Sequence, residues 1–168
     1  MRRVVIAASV LTGLLTGAGC GGGSDAPGQP AAAPNTAVTP TTTVVAVVRD
    51  VLGSDVDPPG APGRTVTLVR YTIAPGAQLP AHIHPGVQVA SIQAGSLTYT
   101  VVSGTATIRR STGAAEAVTG PATVTLGPGD AVTERGDMVH FGANTTADPL
   151  VILATLLTET GRELAVPA

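Results

Sequence analysis

An antiparallel all-β sandwich or barrel, entered through a disordered N-terminal tether, is the fold class this sequence predicts. Three observations carry it. From about residue 43 the chain breaks into short runs dominated by Val and Thr, whose branched side chains suit a pleated surface. Gly and Pro interrupt these runs so often that helical i, i+3, i+4 spacing cannot be sustained. The runs also recur at short, regular intervals, the pattern of many-stranded antiparallel folds.

The first candidate strand is TVVAVVRDV (43–51) and the second RTVTLVRYTI (64–73), both rich in β-branched residues. VQVASIQ (87–93) follows a Pro-Gly break and stops before Gly95. SLTYTVV (96–102) and TATIRR (105–110) flank Ser103 and Gly104 and read as a hairpin turning there. ATVTLG (122–127) and DAVTE (130–134) surround GPGD, a second tight turn. VHFGA (139–143) comes next. The last run, PLVILATLLT (149–158), is apolar on both faces, as expected of a strand with neighbours on each side or of a short buried helix. With no Trp and a single Phe, the core must be built from Val, Leu, Ile and Ala, and a pocket inside it would have few aromatic walls.

At 168 residues the chain fits one domain plus tails. The predicted divisions are a signal segment (1–19), a tether (20–42), a β domain (43–160) and a C-terminal tail (161–168). The signal reading rests on MRR followed by the mostly apolar VVIAASVLTGLLTGA, short for a membrane-spanning helix but suited to the apolar region of a secretory signal. Cys20 is the only cysteine, so no intramolecular disulfide exists. LLTGAGCGGG resembles the lipobox of bacterial lipoproteins, whose cysteine becomes the lipidated first residue, although Gly17 stands where that motif has Leu, Val or Ile. Ordinary cleavage of a secreted or periplasmic protein is the alternative. Gly, Pro, Ala, Ser and Thr make up nearly all of residues 21–42, too little apolar surface to offset the entropy of ordering.

The chain has nine Arg, no Lys and eleven acidic residues. Without Arg2 and Arg3 the balance is seven against eleven, a net −4, which repels phosphate backbones and argues against nucleic acid as a partner. Arg109 and Arg110 are the one adjacent pair in the domain and read as a solvated strand edge.

Chemistry concentrates on three histidines. His82 and His84 stand one residue apart between Pro80 and Pro85, and His140 lies far downstream. On a strand, positions i and i+2 share a face, so His82 and His84 aim at one place. Two neutral imidazoles there suit a divalent transition metal, and burying both without partners would be costly; an exposed loop in which they do nothing is the alternative. Among other residues, Glu134 offers a carboxylate near a pocket mouth or a partner for an imidazole, a solvent-facing strand end being the ordinary expectation. Tyr99, Phe141 and Arg70 are candidates to line a cavity, with a core aromatic and an exposed Arg as the ordinary expectations. Asn144 is expected to fix a turn through local backbone bonds. No Ser-His-Asp order, phosphate-cradling glycine loop or paired carboxylates for glycoside chemistry is present.

The wider spacing resembles the cupin family. Gly76, five residues, His82-Ile83-His84, three residues, Gln88, six residues and Gly95 match the first cupin motif at every interval, with Gln88 where the family has Glu. Gly129-Asp130, four residues, Arg135, then His140, three residues and Asn144 resemble the second motif more loosely, since Arg135 and Asp137 replace its Pro and Gly, with Gly136 next door. The resemblance implies a jelly-roll β-barrel holding a metal through His82, His84 and His140, with Gln88 at the carboxylate position. A neutral amide there leaves a divalent ion's charge uncompensated, which weakens hard ions such as manganese and still suits zinc, copper, nickel or ferrous iron. It further implies a small-molecule ligand in the barrel and a homodimer. Activity stays open between a metal-dependent dioxygenase, a binding module with or without metal, and an interaction role, because one fold serves many functions.

Overall fold

The structure, a computed structural model, describes residues 46–168. The expected signal segment, Cys20 and the tether lie outside the described residues. Twelve strands follow: β1 Val47–Val56, β2 Arg64–Ile73, β3 His82–Ile83, β4 Gly86–Ala94, β5 Leu97–Ser103, β6 Thr105–Arg109, β7 Ala115–Thr119, β8 Ala122–Leu126, β9 Ala131–Arg135, β10 Val139–Ala143, β11 Leu150–Glu159 and β12 Val166–Pro167. No helix occurs among the described residues, so the all-β prediction holds and the last apolar run is a strand.

Two antiparallel sheets face each other in a jelly roll, ordered β1-β2-β11-β4-β9-β6-β7 and β12-β3-β10-β5-β8. β11 lies between β2 and β4, and its outward Val151, Leu153 and Leu157 are half-buried. Its inward residues Leu150, Ile152, Ala154 and Leu156 are buried with Val69 and Ile73 of β2, Ile92 of β4, and Leu97, Tyr99 and Val101 of β5. Small side chains at Ala90 and Ala154, which pair across β4 and β11, leave room in the middle of this aliphatic core.

Several expectations are corrected. Ser103-Gly104 is not a hairpin: β5 pairs with β10 and β8, whereas β6 pairs with β7 and β9 in the other sheet. The pair carries the chain from sheet to sheet. Gly104 has φ +82° and a Cβ there would stand 2.7 Å from Met138 Cβ, so the residue type answers to a close crossing as well as to a turn. GPGD is the predicted tight turn, closed by Asp130 N–H to Gly127 O at 3.0 Å. β1 runs further than TVVAVVRDV, to Val56, through a bulge between Val51 and Gly53, and residues 43–45 of that run lie outside the described residues. β7 was not foreseen, and residues 161–168 are no free tail, since β12 pairs with β3. Arg110 is more than a solvated edge: it pairs with Glu116 at 2.5 Å and Asp130 at 3.0 Å.

Candidate metal centre

β3 is only two residues long, and its pairing with β10 sets His82 directly opposite His140. His84 follows one pleat on. Both first-motif rings are held by carbonyls: His82 Nδ1 donates to Pro80 O at 2.8 Å and His84 Nδ1 to Leu164 O at 2.6 Å. A carbonyl only accepts, so the proton sits on Nδ1 in each, and the Nε2 lone pair is left to face inward. Ring centroids lie 4.4 Å apart for His82 and His140, 5.1 Å for His82 and His84, and 5.2 Å for His84 and His140. One nitrogen from each ring falls within 4.8 Å of the others. His84 and His140 are buried and His82 is partly so. Burial, the largest influence, pushes the His82 pKa below the ordinary imidazole value, which keeps that ring neutral as a metal ligand must be.

The opposite sheet supplies the rest. Gln88 of β4 and Glu134 of β9 are direct cross-strand partners on the inward face, and the Gln88 amide donates from Nε2 to Glu134 Oε2. The same carboxylate stands 3.2 Å from His84 Nε2 through Oε2 and 3.3 Å from His140 Nε2 through Oε1. Glu134 is 3% exposed, so the expectation of a solvent-facing strand end is overturned: the inward alternation of β9 places it beside Val132 in the interior. Gln88, at the position the resemblance gives to a carboxylate, thus has a carboxylate as its cross-strand neighbour.

Beside the cluster lies a cavity of about 470 Å³, within the range of small-molecule sites. Its walls are mainly aliphatic, among them Leu79, Ile92, Leu97, Val132 and Ile152, with Val166 and Pro167 closing one side. Tyr99 lines it as anticipated, its ring 5.7 Å from that of His140. Burial and the facing Glu134 charge push its phenol far above the ordinary value. Phe141 does not line it: on β10 the inward residues are His140 and Gly142, and the residue between them points to the other face. Arg70 is exposed. Arg49 and Tyr71, cross-strand partners on β1 and β2 that both reach the cavity, were missed; the alternation of RTVTLVRYTI, which buries Thr67, Val69 and Ile73, is the signal that points Tyr71 inward.

Two loops hold the frame. Asn144, fully buried, donates to Ile73 O at 3.0 Å and Asp148 O at 2.8 Å and accepts from Thr146, the turn-fixing role expected of it. Gly136 packs against the histidine segment, where a Cβ would come 2.9 Å from His84 O.

Among the described residues, the buried side-chain polar atoms without a hydrogen-bond partner are His84 Nε2, His140 Nδ1, Gln88 Oε1 and Tyr99 Oη, and all four residues line this cavity. Native interiors rarely leave such groups unpaired. Neutral imidazoles beside a carboxylate are a donor set that suits a divalent transition ion, so the residues present fit one.

The Cupin domain family matches residues 69–156, more than half of the chain. Solved structures with a similar fold include a cupin superfamily protein from Desulfitobacterium hafniense (16% identity over 67% of this chain and 77% of that one, TM-score 0.47). A cupin 2 domain-containing protein from Halorhodospira halophila is 18% identical over 73% and 70% of the two chains, with TM-score 0.49. An oxalate oxidase is 20% identical over 78% and 57%, with TM-score 0.50. No match was found among curated proteins. At these identities the structural likeness is one of fold, whereas the family match spans the very strands that bring the three histidines together: this chain belongs to the cupin family.

Proposed function

We propose that the chain is an exported, lipid-anchored cupin that binds a divalent transition metal through His82, His84 and His140 and takes a small, mainly apolar molecule into the adjoining cavity. The observation that carries this reading is the convergence of every unpartnered buried polar side-chain atom, among the described residues, on one cavity. Zinc, ferrous iron, copper and nickel all suit imidazole donors, and manganese does so if a carboxylate joins them. Once bound, such an ion supplies a Lewis acid, and iron or copper a redox centre as well. The chain's own residues do the remainder: Pro80 O and Leu164 O fix two rings through Nδ1, the aliphatic walls exclude water, and Tyr99 Oη and Gln88 Oε1 offer a donor and an acceptor to a ligand's polar end.

Elemental analysis of protein purified without added metal tests the reading, with retained ion in the wild type and its loss in His82→Ala as the expected pair of results. Absence of metal, or no change on substitution, overturns it. An oxygenase version is favoured by the cluster opening directly onto a ligand-sized cavity; oxygen uptake by iron- or copper-loaded protein with diphenols or diketones separates turnover from binding. For the anchor at the outer face of the membrane, the basic and apolar N-terminus followed by Cys20 is the support. The mass of the mature N-terminus should report a lipid on Cys20, and an unmodified terminus elsewhere refutes the anchor.

A further inference from the structure

We infer that Glu134 supplies the carboxylate of the metal centre from β9, and that Gln88, which stands where the family has its glutamate, positions it. The inference rests on the metal-binding reading above. Its starting point is register: Gln88 and Glu134 are directly opposite each other across β4 and β9, and side chains in such pairs start about 5 Å apart. A carboxylate carried by either strand therefore reaches the same space.

The distances from Glu134 to His84 and His140 are those expected between co-ligands of one ion. Donors bound to one ion at about 2.0–2.2 Å stand about 3–3.5 Å from each other, and Glu134 lies 3.2 Å from His84 Nε2 and 3.3 Å from His140 Nε2. His84 donates its Nδ1–H to Leu164 O, so its Nε2 presents a lone pair, and that atom has no hydrogen-bond partner despite the nearby carboxylate. Two lone pairs face to face at this distance repel. A shared cation turns the repulsion into coordination.

Charge points the same way. Glu134 is 3% exposed, and its ion-pair contacts among the described residues are imidazoles alone; the nearest buried acid in sequence, Asp130, has Arg110. A buried carboxylate needs a compensating positive charge, and a divalent ion held by neutral imidazoles provides it. Gln88 then has a defined task. Its Nε2 donates to Glu134 Oε2; the flipped amide would set oxygen against oxygen, so the donor orientation is fixed. A second carboxylate at 88 would crowd like charges, whereas an amide steers Glu134 without adding one.

The test is a titration with Zn(II) against a chromophoric chelator, together with the visible absorption of Co(II) as a geometry-sensitive readout. Wild type, Glu134→Gln, Gln88→Glu/Glu134→Gln and Glu134→Asp are compared. Glu134→Gln should bind Zn(II) more than about 100-fold more weakly, beyond the 10- to 100-fold of an outer-sphere contact, with an altered Co(II) spectrum, and the double variant, which moves the carboxylate back across the pair, should regain most of the loss. Glu134→Asp, one methylene short, should fall between, and it reads the same prediction should Glu134→Gln fail to fold. Wild-type affinity and an unchanged Co(II) spectrum in Glu134→Gln overturn the inference while leaving three-histidine binding intact. A wild type that binds neither ion overturns both.

Discussion

Asp130, in the turn just ahead of β9, and Glu134, four residues on along the inner face of that strand, are both buried, and their surroundings differ in kind. Asp130 is fully satisfied by the fold: Oδ1 accepts from Ser111 N–H at 2.8 Å, and Oδ2 accepts from Gly127 N–H at 3.1 Å and Arg110 Nη1 at 3.0 Å. Glu134 has one amide donor and two imidazoles, in a neighbourhood where four polar atoms are left without partners. A buried acid whose every contact is a protein donor is part of the scaffold. One surrounded by atoms that the protein does not satisfy is arranged for something that binds.

The contrast is broken most forcefully at the histidines. His140 stands at the junction of the cluster, opposite His82 in the β3–β10 pair and beside Glu134. His140→Ala should weaken Zn(II) binding more than about 1000-fold, beyond the 10- to 100-fold typical of outer-sphere changes, while urea unfolding stays cooperative. Retained affinity in that variant would mean the cluster is not a metal centre. On the scaffold side, Asp130→Ala should cost about 2–4 kcal/mol, because it strips three hydrogen bonds and leaves Arg110 without a buried counter-charge. A lower urea midpoint at unchanged slope, with metal affinity untouched, is the expected outcome; lost affinity with stability intact would reverse the assignment of the two acids.

The same comparison extends to acid. Burial opposes ionisation of Asp130, but the Ser111 and Gly127 amides and Arg110 outweigh it and hold its pKa below the usual carboxylate value. A depressed folded-state pKa means that the unfolded chain binds the proton first as pH falls. The contribution of Asp130 is thus complete above about pH 4–5 and disappears as pH drops through the folded value. In Asp130→Asn the loss of stability between about pH 5 and pH 2 should be shallower than in the wild type. Parallel acid-unfolding curves would rule out the linkage.

How much of this was legible follows from the range of each interaction. The three histidines announced themselves because motif spacing is a property of the linear chain, and the two tight features, GPGD and Asn144, are likewise local. Glu134 was seen only as a candidate, since its place depends on a register that joins residues 46 apart and no short window contains it. Ser103-Gly104 misled for a related reason: a Ser-Gly break signals that the chain bends, not which sheet it bends into. β7 was missed because STGAAEAVTG lacks a run of branched residues; it forms by pairing along β6. Phe141 was placed in the cavity on its chemistry alone, when the alternation fixed by His140 already turned it away.

The smallest effect is the most pointed, and it concerns Tyr99. Its ring is buried at 2% exposure, yet its hydroxyl has no partner. If that hydroxyl served the scaffold, as the Asp130 carboxylate does, Tyr99→Phe would cost about 1–1.5 kcal/mol, the ordinary net worth of an intramolecular hydrogen bond. An orphaned hydroxyl has already lost its water without replacement, so removing it should leave the metal-free protein within about 0.5 kcal/mol of wild type or make it more stable. The ring stays, and with it the contact with the His140 ring. Thermal unfolding of metal-free Tyr99→Phe and wild type decides between these outcomes: a clear loss of stability would move Tyr99 to the scaffold side, whereas an equal or higher midpoint keeps its oxygen among the groups reserved for a ligand.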